Sequence, residues 1–286
     1  MTELACLYDL IPLILPFDCL QARFMQQALL GLILLAPLAA AMGVQVVNFR
    51  MAFFSDAISH SAFAGVALGL IASLNPQLSM LAFGVLVGLA IAILQRLSTL
   101  SSDTVIGVIF AAVVAFGLAV VSRDQNVARD IQRFLYGDIL TISDTQIMGL
   151  LALFAALTAF QAWGYNRLIY IGLNSTLAKA HRVPVAAYQY LFAALLALVV
   201  IFAVWAVGVL LVTALLIVPA AAGRNLARSA GAMFWWALVV AETSAVAGLV
   251  ISAQDWARTA TGATVILCAF GWFVLSAGAA RLKNHR

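Results

Sequence analysis

Long apolar runs separated by short polar breaks dominate this chain, and each run is about the length of a membrane-crossing helix. Residues 4–19 are moderately apolar but broken by Pro12 and Pro16, so they read as an interfacial segment, with residues 1–23 set apart from the spans. Phe24 to Val47 is the first span, with Pro37 inside it as an expected kink. After a break at 48–50 comes a second span, Phe54 to Leu74, closed by the Asn75-Pro76-Gln77 turn. Leu78 to Leu94 is the third and Thr104 to Val121 the fourth. Residues 122–144 form the longest polar stretch, and Gln146 to Trp163 is the fifth span. A second long loop is expected over 165–187.

The apolar run that follows, Tyr188 to Ala222, has 35 residues and is too long for one untilted helix, which needs about 20. It divides near Gly208 into a sixth span and a short seventh ending at Pro219. Met233 to Ser252 and Thr261 to Ala280 are the eighth and ninth. The expected fold is therefore an all-α polytopic membrane protein of about nine transmembrane helices, or eight if residues 208–222 do not fully cross. Residues 1–286 read as one transmembrane domain without internal repeats.

Composition agrees. Of the 286 residues 65% are hydrophobic and 9% charged, against roughly 25% charged in an ordinary soluble domain. The net charge of +4 comes from basic residues in short loops, not from a clustered basic face, so no nucleic acid is expected as a partner. The loops at Arg50, Arg96, 165–187 and 224–228 and the tail from Arg281 carry the positive charge; those at 75–77, 122–145 and 253–260 are near neutral. The excess of Lys and Arg in cytoplasmic loops then places the C-terminus in the cytoplasm and the N-terminus outside. Cys6, Cys19 and Cys268 are scattered; Cys268 reads as packing, and a Cys6–Cys19 disulfide would require an oxidising side. Residues 1–22 lack the basic start and apolar core of a cleavable signal peptide.

The chemistry worth weighing lies in the polar residues inside the spans. Asp56 and His60 stand four apart in a stretch otherwise relieved only by Ser55, Ser59 and Ser61. On a helix both side chains share a face, one turn apart, roughly 6 Å along the axis. A carboxylate and an imidazole hold a divalent cation or relay a proton. Taken singly, His60 is more simply a satisfied buried histidine and Asp56 an acid at a helix start. As a pair with small Ala64 and Gly65 following, they suit a transient metal station. Two ligands are too few for a closed structural site, so water or a second subunit would complete the shell, with Ser55 and Ser59 as polar lining. Glu242, in the middle of the eighth span, is either neutral and hydrogen-bonded or lines a wet path. There is no phosphate-binding Gly-x-x-x-x-Gly-Lys-Ser/Thr motif, no Gly-x-Ser-x-Gly and no His-Glu-x-x-His, so the chain is not expected to be an enzyme or to bind a permanent cofactor.

Phe54-Ser55-Asp56-Ala57-Ile58-Ser59-His60, followed by Gly65-Val66-Ala67-Leu68-Gly69, resembles the signature of the permease subunits of ABC-type zinc and manganese importers, the ABC-3 family. Phe134-Leu135-Tyr136-Gly137-Asp138-Ile139-Leu140, the stretch from Val207-Gly208 to Pro219-Ala220-Ala221, and Thr261 to Leu267 are similar to further family segments in the same order. The resemblance implies a type II ABC importer-like permease in a bacterial inner membrane, working as a homodimer with two cytoplasmic ATPase subunits and an extracytoplasmic metal-binding protein. It implies Zn²⁺ or Mn²⁺ as the transported substrate, passing Asp56 and His60. It also implies an ATPase-coupling segment within 165–187, including Asn174, Lys179, His181 and Arg182. There the sequence departs from the family pattern, which has acids near 174–176 and a glycine where Arg182 stands. A proton-coupled secondary transporter and a non-transporting membrane scaffold are the rival readings.

Overall fold

The computed structural model describes Tyr8, Ile11, Pro12, residues 16–122 and residues 139–284. The segment Phe134 to Asp138, Cys6 and His285 lie outside the described residues. Ten α-helices are described: α1 (Arg23–Phe49), α2 (Phe54–Ile71), α3 (Pro76–Leu97), α4 (Ser102–Val121), α5 (Asp144–Leu173), α6 (Ser175–Ala180), α7 (Val185–Val207), α8 (Val209–Leu226), α9 (Ala230–Ser252) and α10 (Thr261–Asn284). Eight of them are long and apolar enough to cross a membrane; in the ninth apolar helix, α8, the run is shorter. Its 18 residues span ~27 Å, close to the hydrocarbon thickness of about 30 Å.

The helix boundaries follow local chemistry. Asn75 caps α3, accepting from Gln77 N at 2.9 Å, with Pro76 in the first turn where its missing N–H costs nothing. Ser143 and Gln146 form a reciprocal capping box at the start of α5. The break between α7 and α8 falls at Gly208, whose φ of 83° is a conformation that favours glycine.

Two expectations need correction. Residues 165–187 are not a loop: α5 continues to Leu173, α6 forms a short helix, and α7 begins at Val185. Leu168 and Ile171 are buried three residues apart, so the helical period outlasts the hydrophobic run that hydropathy detects. The seventh span does not end at Pro219 but runs through it to Leu226. Helices packed on both sides tolerate a membrane proline, because neighbours re-satisfy the freed carbonyl.

The bundle is centred on α1, which packs against α5, α7, α8 and α9. Its closest approach is at Gly43, where a Cβ would lie only 1.9 Å from the Leu216 carbonyl oxygen of α8. Outer helices α3, α4 and α10 leave Leu86, Phe116, Leu267 and Leu275 exposed, an apolar exterior suited to lipid and not to water.

Most of the basic residues gather at one end of the bundle, while Arg23, 3.7 Å over the Tyr8 ring, lies at the other. Phe49 packs edge-on against Phe192 with ring centroids 5.1 Å apart, Arg96 sits 5.3 Å over the Tyr190 ring, and Tyr165 donates to Ala230 O at 2.8 Å. The ends of α1, α3 and α5 and the starts of α7 and α9 therefore share one end of the bundle, together with Arg50, Arg96, Arg167, Lys179, Arg182 and Arg228. At the other end, buried Tyr8 donates to Asp144 Oδ1 at 2.7 Å and Gln27 Nε2 donates to the same oxygen at 2.9 Å.

Candidate functional site

Asp56 and His60 lie in the first two turns of α2. Their neighbours fix their height. Gly84 and Gly88 of α3 face Ile58, whose side-chain carbons stand 3.7 and 3.5 Å from where a Cβ would be. Those glycines sit near the middle of a helix running 76–97, and Ala193, Ala197 and Ile201, near the middle of α7, face the same two glycines. The ring of His60 meets Phe110 edge-on at 5.1 Å, and Phe110 is near the middle of α4. Three neighbouring helices agree that this turn sits at mid-height of the bundle. Arg50 is only six residues before Asp56, and its neighbours Phe49 and Met51 line a cavity at the basic end with Gln95, Arg96 and Gln189.

The ring of His60 is oriented from below. Its Nδ1 lies 3.0 Å from the backbone oxygen of Asp56. A carbonyl oxygen only accepts, so Nδ1 carries the proton, and in the neutral ring Nε2 is left with its lone pair. Backbone bonding that fixes a tautomer in this way is how ligating imidazoles are held. Ser59 Oγ, fully buried, donates to the same carbonyl at 3.1 Å.

The carboxylate of Asp56 turns elsewhere. Thr213 of α8 donates its hydroxyl to Asp56 Oδ1, and Ser55 Oγ, also fully buried, donates to Thr213 Oγ1 at 3.3 Å. Ser55 Oγ lies equally close, 3.3 Å, to the Ala52 carbonyl oxygen, so its single proton is shared between the backbone and Thr213, whereas Ser59 bonds the backbone alone. Thr213 was not singled out in the sequence, yet a signal was there. It is the one hydroxyl in the apolar run from Leu191 to Val218, just past the Gly208 break.

Among the described residues, no three His, Cys, Asp or Glu side chains gather closely enough to hold a metal ion. The Asp56 carboxylate is held by Thr213 of α8, while the His60 ring meets Phe63 and Phe110 edge-on. Glu242 is not brought to the pair. It lies on α9, which packs mainly on α1, α8 and α10, and its Oε2 is buried without a hydrogen-bond partner.

The expected coupling residues lie together at the basic end. Asn174 caps α6, accepting from Thr176 N and Leu177 N at 3.0 Å each. Behind α6, Ala178, Ile171 and Val185 form a small apolar cluster of their own. Lys179, His181 and Arg182 are exposed, beside exposed Leu173 and Leu177. Arg182 has φ 59°, the left-handed region in which a glycine would be unstrained.

The chain is similar to known proteins over most of its length. The model of the ABC 3 transport family matches residues 21–279. The High-affinity zinc uptake system membrane protein ZnuB of Haemophilus influenzae is 33% identical over 251 residues, covering 87% of this chain and 95% of that protein. The Manganese import system permease protein ScaB of Streptococcus gordonii is 30% identical, over 89% of this chain and 90% of that protein. Among solved structures, PsaBC from Streptococcus pneumoniae in complex with Fab matches with a TM-score of 0.75 and 30% identity, covering 94% of this chain and 95% of that one.

Proposed function

The chain belongs to the ABC 3 transport family, and from that premise we propose that it is the membrane permease of an ATP-driven importer of a divalent transition-metal ion, zinc or manganese. The observation that carries this reading is the Asp56–His60 turn. It is placed at mid-height of a lipid-exposed bundle, with Nδ1 of the imidazole committed to the backbone and Nε2 left as a donor. An ionisable pair at that depth is costly unless it handles a cation.

The metal is cargo, and two to three protein donors suit a station it must leave. Asp56 and His60 offer the anionic and imidazole donors, Thr213 holds the carboxylate, and water or the same pair from a second copy of the chain fills the remaining positions. Imidazole favours zinc on softness, while a carboxylate is compatible with manganese. One relative is named for zinc uptake and another for manganese import, so zinc is the first cargo to test and manganese the second. Glu242, unpaired on its buried oxygen, is a further polar lining residue of the path.

The sequence carries no Gly-x-x-x-x-Gly-Lys-Ser/Thr motif, so we assign ATP hydrolysis to two separate cytoplasmic subunits. The segment from Asn174 to Arg182 is the surface we assign to them: a short helix with an exposed apolar and basic face at the Arg-rich end of the bundle. By the positive-inside rule that end is cytoplasmic, in a bacterial inner membrane. The opposite end, around Tyr8 and Asp144, then faces an extracytoplasmic metal-binding protein. The permease works as a homodimer.

Uptake of radioactive zinc or manganese into proteoliposomes holding the full transporter tests the reading. It should require ATP and fall at least tenfold in Asp56→Ala and His60→Ala variants inserted at normal levels. Uptake driven by a proton gradient without ATP, or undiminished uptake in both variants, would overturn it.

A further inference from the structure

At the basic end of the bundle a second site lies below the metal pair. A cavity of about 140 Å³ opens between the turn joining α1 to α2, the last turns of α3, the start of α4 and the first turns of α7. Its polar lining comes from Gln95, Arg96, Ser102 and Gln189, and its apolar wall includes Phe49 and Phe192. The Nε2 amide of Gln95 is buried there and has no hydrogen-bond partner. A buried N–H donor left unmade is costly, so its orientation calls for an acceptor that the protein does not supply.

The charge of the lining decides what that acceptor is. Arg96 brings a full positive charge, and no carboxylate is among the lining residues. The one acid of the adjoining turn, Asp103, is exposed and outside the lining. A divalent cation would meet Arg96 with repulsion and no compensating anion. An oxyanion would meet a guanidinium, amide N–H groups and a hydroxyl, the donor set that recognises phosphate. Position narrows the choice further. Arg96 is in the last turn of α3, and Leu94, Leu97 and Leu100 beside it are exposed. A headgroup seated in the cavity would therefore have apolar surface next to it for its acyl chains. Basic pockets between transmembrane helices at the inner leaflet hold anionic lipid headgroups on the same physical grounds.

We infer that the cavity lined by Gln95, Arg96, Ser102 and Gln189 binds a phosphate group, carried by an anionic phospholipid of the leaflet onto which it opens. The bound headgroup bridges α3, α4, α7 and the turn entering α2, the elements that hold the Asp56 turn from below. The inference stands apart from the cargo and from the transport mechanism, since it rests on a different set of residues.

Native mass spectrometry of the full chain, released from detergent with phosphatidylglycerol or phosphatidylcholine added, tests it. Phosphatidylglycerol should stay bound at activation energies that strip phosphatidylcholine, and its retained fraction should fall at least fivefold in Arg96→Gln and in Gln95→Leu. Tyr190→Leu, which removes the ring under Arg96 but keeps the charge, should retain the preference. Competition by millimolar inorganic phosphate would support the site and assign free phosphate as a second occupant; no competition would support the lipid alone. Equal retention of the two lipids, or a preference untouched in both Arg96→Gln and Gln95→Leu, would overturn the inference. Melting temperatures of the lipid-free variants within a few degrees of the parent distinguish lost binding from lost folding.

Discussion

Thr213 donates its hydroxyl to the Oδ1 of Asp56, joining two helices across 157 positions of sequence. The bond ties the acid of the proposed metal pair to the helix that begins at the Gly208 break. It makes the carboxylate direction a property of the α2–α8 packing and not of α2 alone.

Removing that hydroxyl should disturb transport more than folding. Thr213→Val keeps the shape but leaves Asp56 without its donor, at an expected stability cost of about 1–3 kcal/mol. Metal uptake should show a raised KM for the cargo, while Thr213→Ser, which retains the hydroxyl, stays near the parent. Equal uptake by Thr213→Val and the parent would remove Thr213 from the site.

His60 offers a sharper separation of fold from function. In His60→Asn the side-chain amide reaches the place of Nδ1 and donates to the Asp56 carbonyl, but nothing replaces Nε2. The variant should insert and melt like the parent and lose at least tenfold in uptake. An active His60→Asn transporter would show that Nε2 takes no part in passing the metal.

Gly43 and Gly107 should respond in opposite directions to the same change. At Gly43 an added methyl collides with the Leu216 carbonyl, so Gly43→Ala should cost about 1–3 kcal/mol or more as α1 and α8 are forced apart. At Gly107 nothing lies within 4 Å, and Gly107→Ala should be neutral or stabilise by up to about 1 kcal/mol through helix propensity. Thermal melting of the two purified variants in one detergent checks both.

Arg182→Gly should relieve strain. The φ of 59° costs a side-chain-bearing residue about 1–2 kcal/mol, so the glycine variant should melt higher in the isolated permease. It also removes a positive charge from the proposed ATPase-facing surface, so metal-stimulated ATP hydrolysis in the assembled transporter should change by several fold while Lys179 and His181 stay in place. A variant with unaltered coupling would place the contact elsewhere on that end.

Tyr8 sets an alkaline limit on the packing of the N-terminal segment. Burial, and then its hydrogen bond to Asp144, push the phenol up to about 12 from its ordinary 10. The folded state thus favours the neutral phenol. That stabilisation is complete below pH 10 and is lost as pH rises from 10 to 12. Tyr8→Phe should flatten the alkaline limb of a melting-temperature profile over this window; an unchanged limb would exclude Tyr8 as its source.

The number and rough placement of the spans could be read from the sequence because a membrane imposes a strong one-dimensional rule. About 20 consecutive apolar residues are needed to cross, and loops carry the charge. The break at Gly208 was legible for the same reason, as a run too long for one helix. The helical reach of α5 to Leu173 and of α8 through Pro219 was not, since both depend on neighbours that bury Leu168 and Ile171 or pack around a proline. That Asp56 and His60 fall one turn apart near the start of α2 likewise followed from their spacing of four.

The height of the pair, the tautomer of His60 and the identity of its third companion came only from the tertiary structure. Hydropathy assigned the Arg50 break to a membrane edge. Arg50 does lie at the basic end, yet within eight residues the chain reaches the middle of the bundle, where Ile58 meets Gly84 and Gly88 of α3. Periodicity places a side chain on a face but does not say which distant helix that face will meet. Sequence alone therefore determined that this chain crosses a membrane with an ionisable pair inside. The folded chain decided that a lone threonine on α8 would hold the acid, because contacts between packed helices depend on three-dimensional proximity that no local pattern encodes.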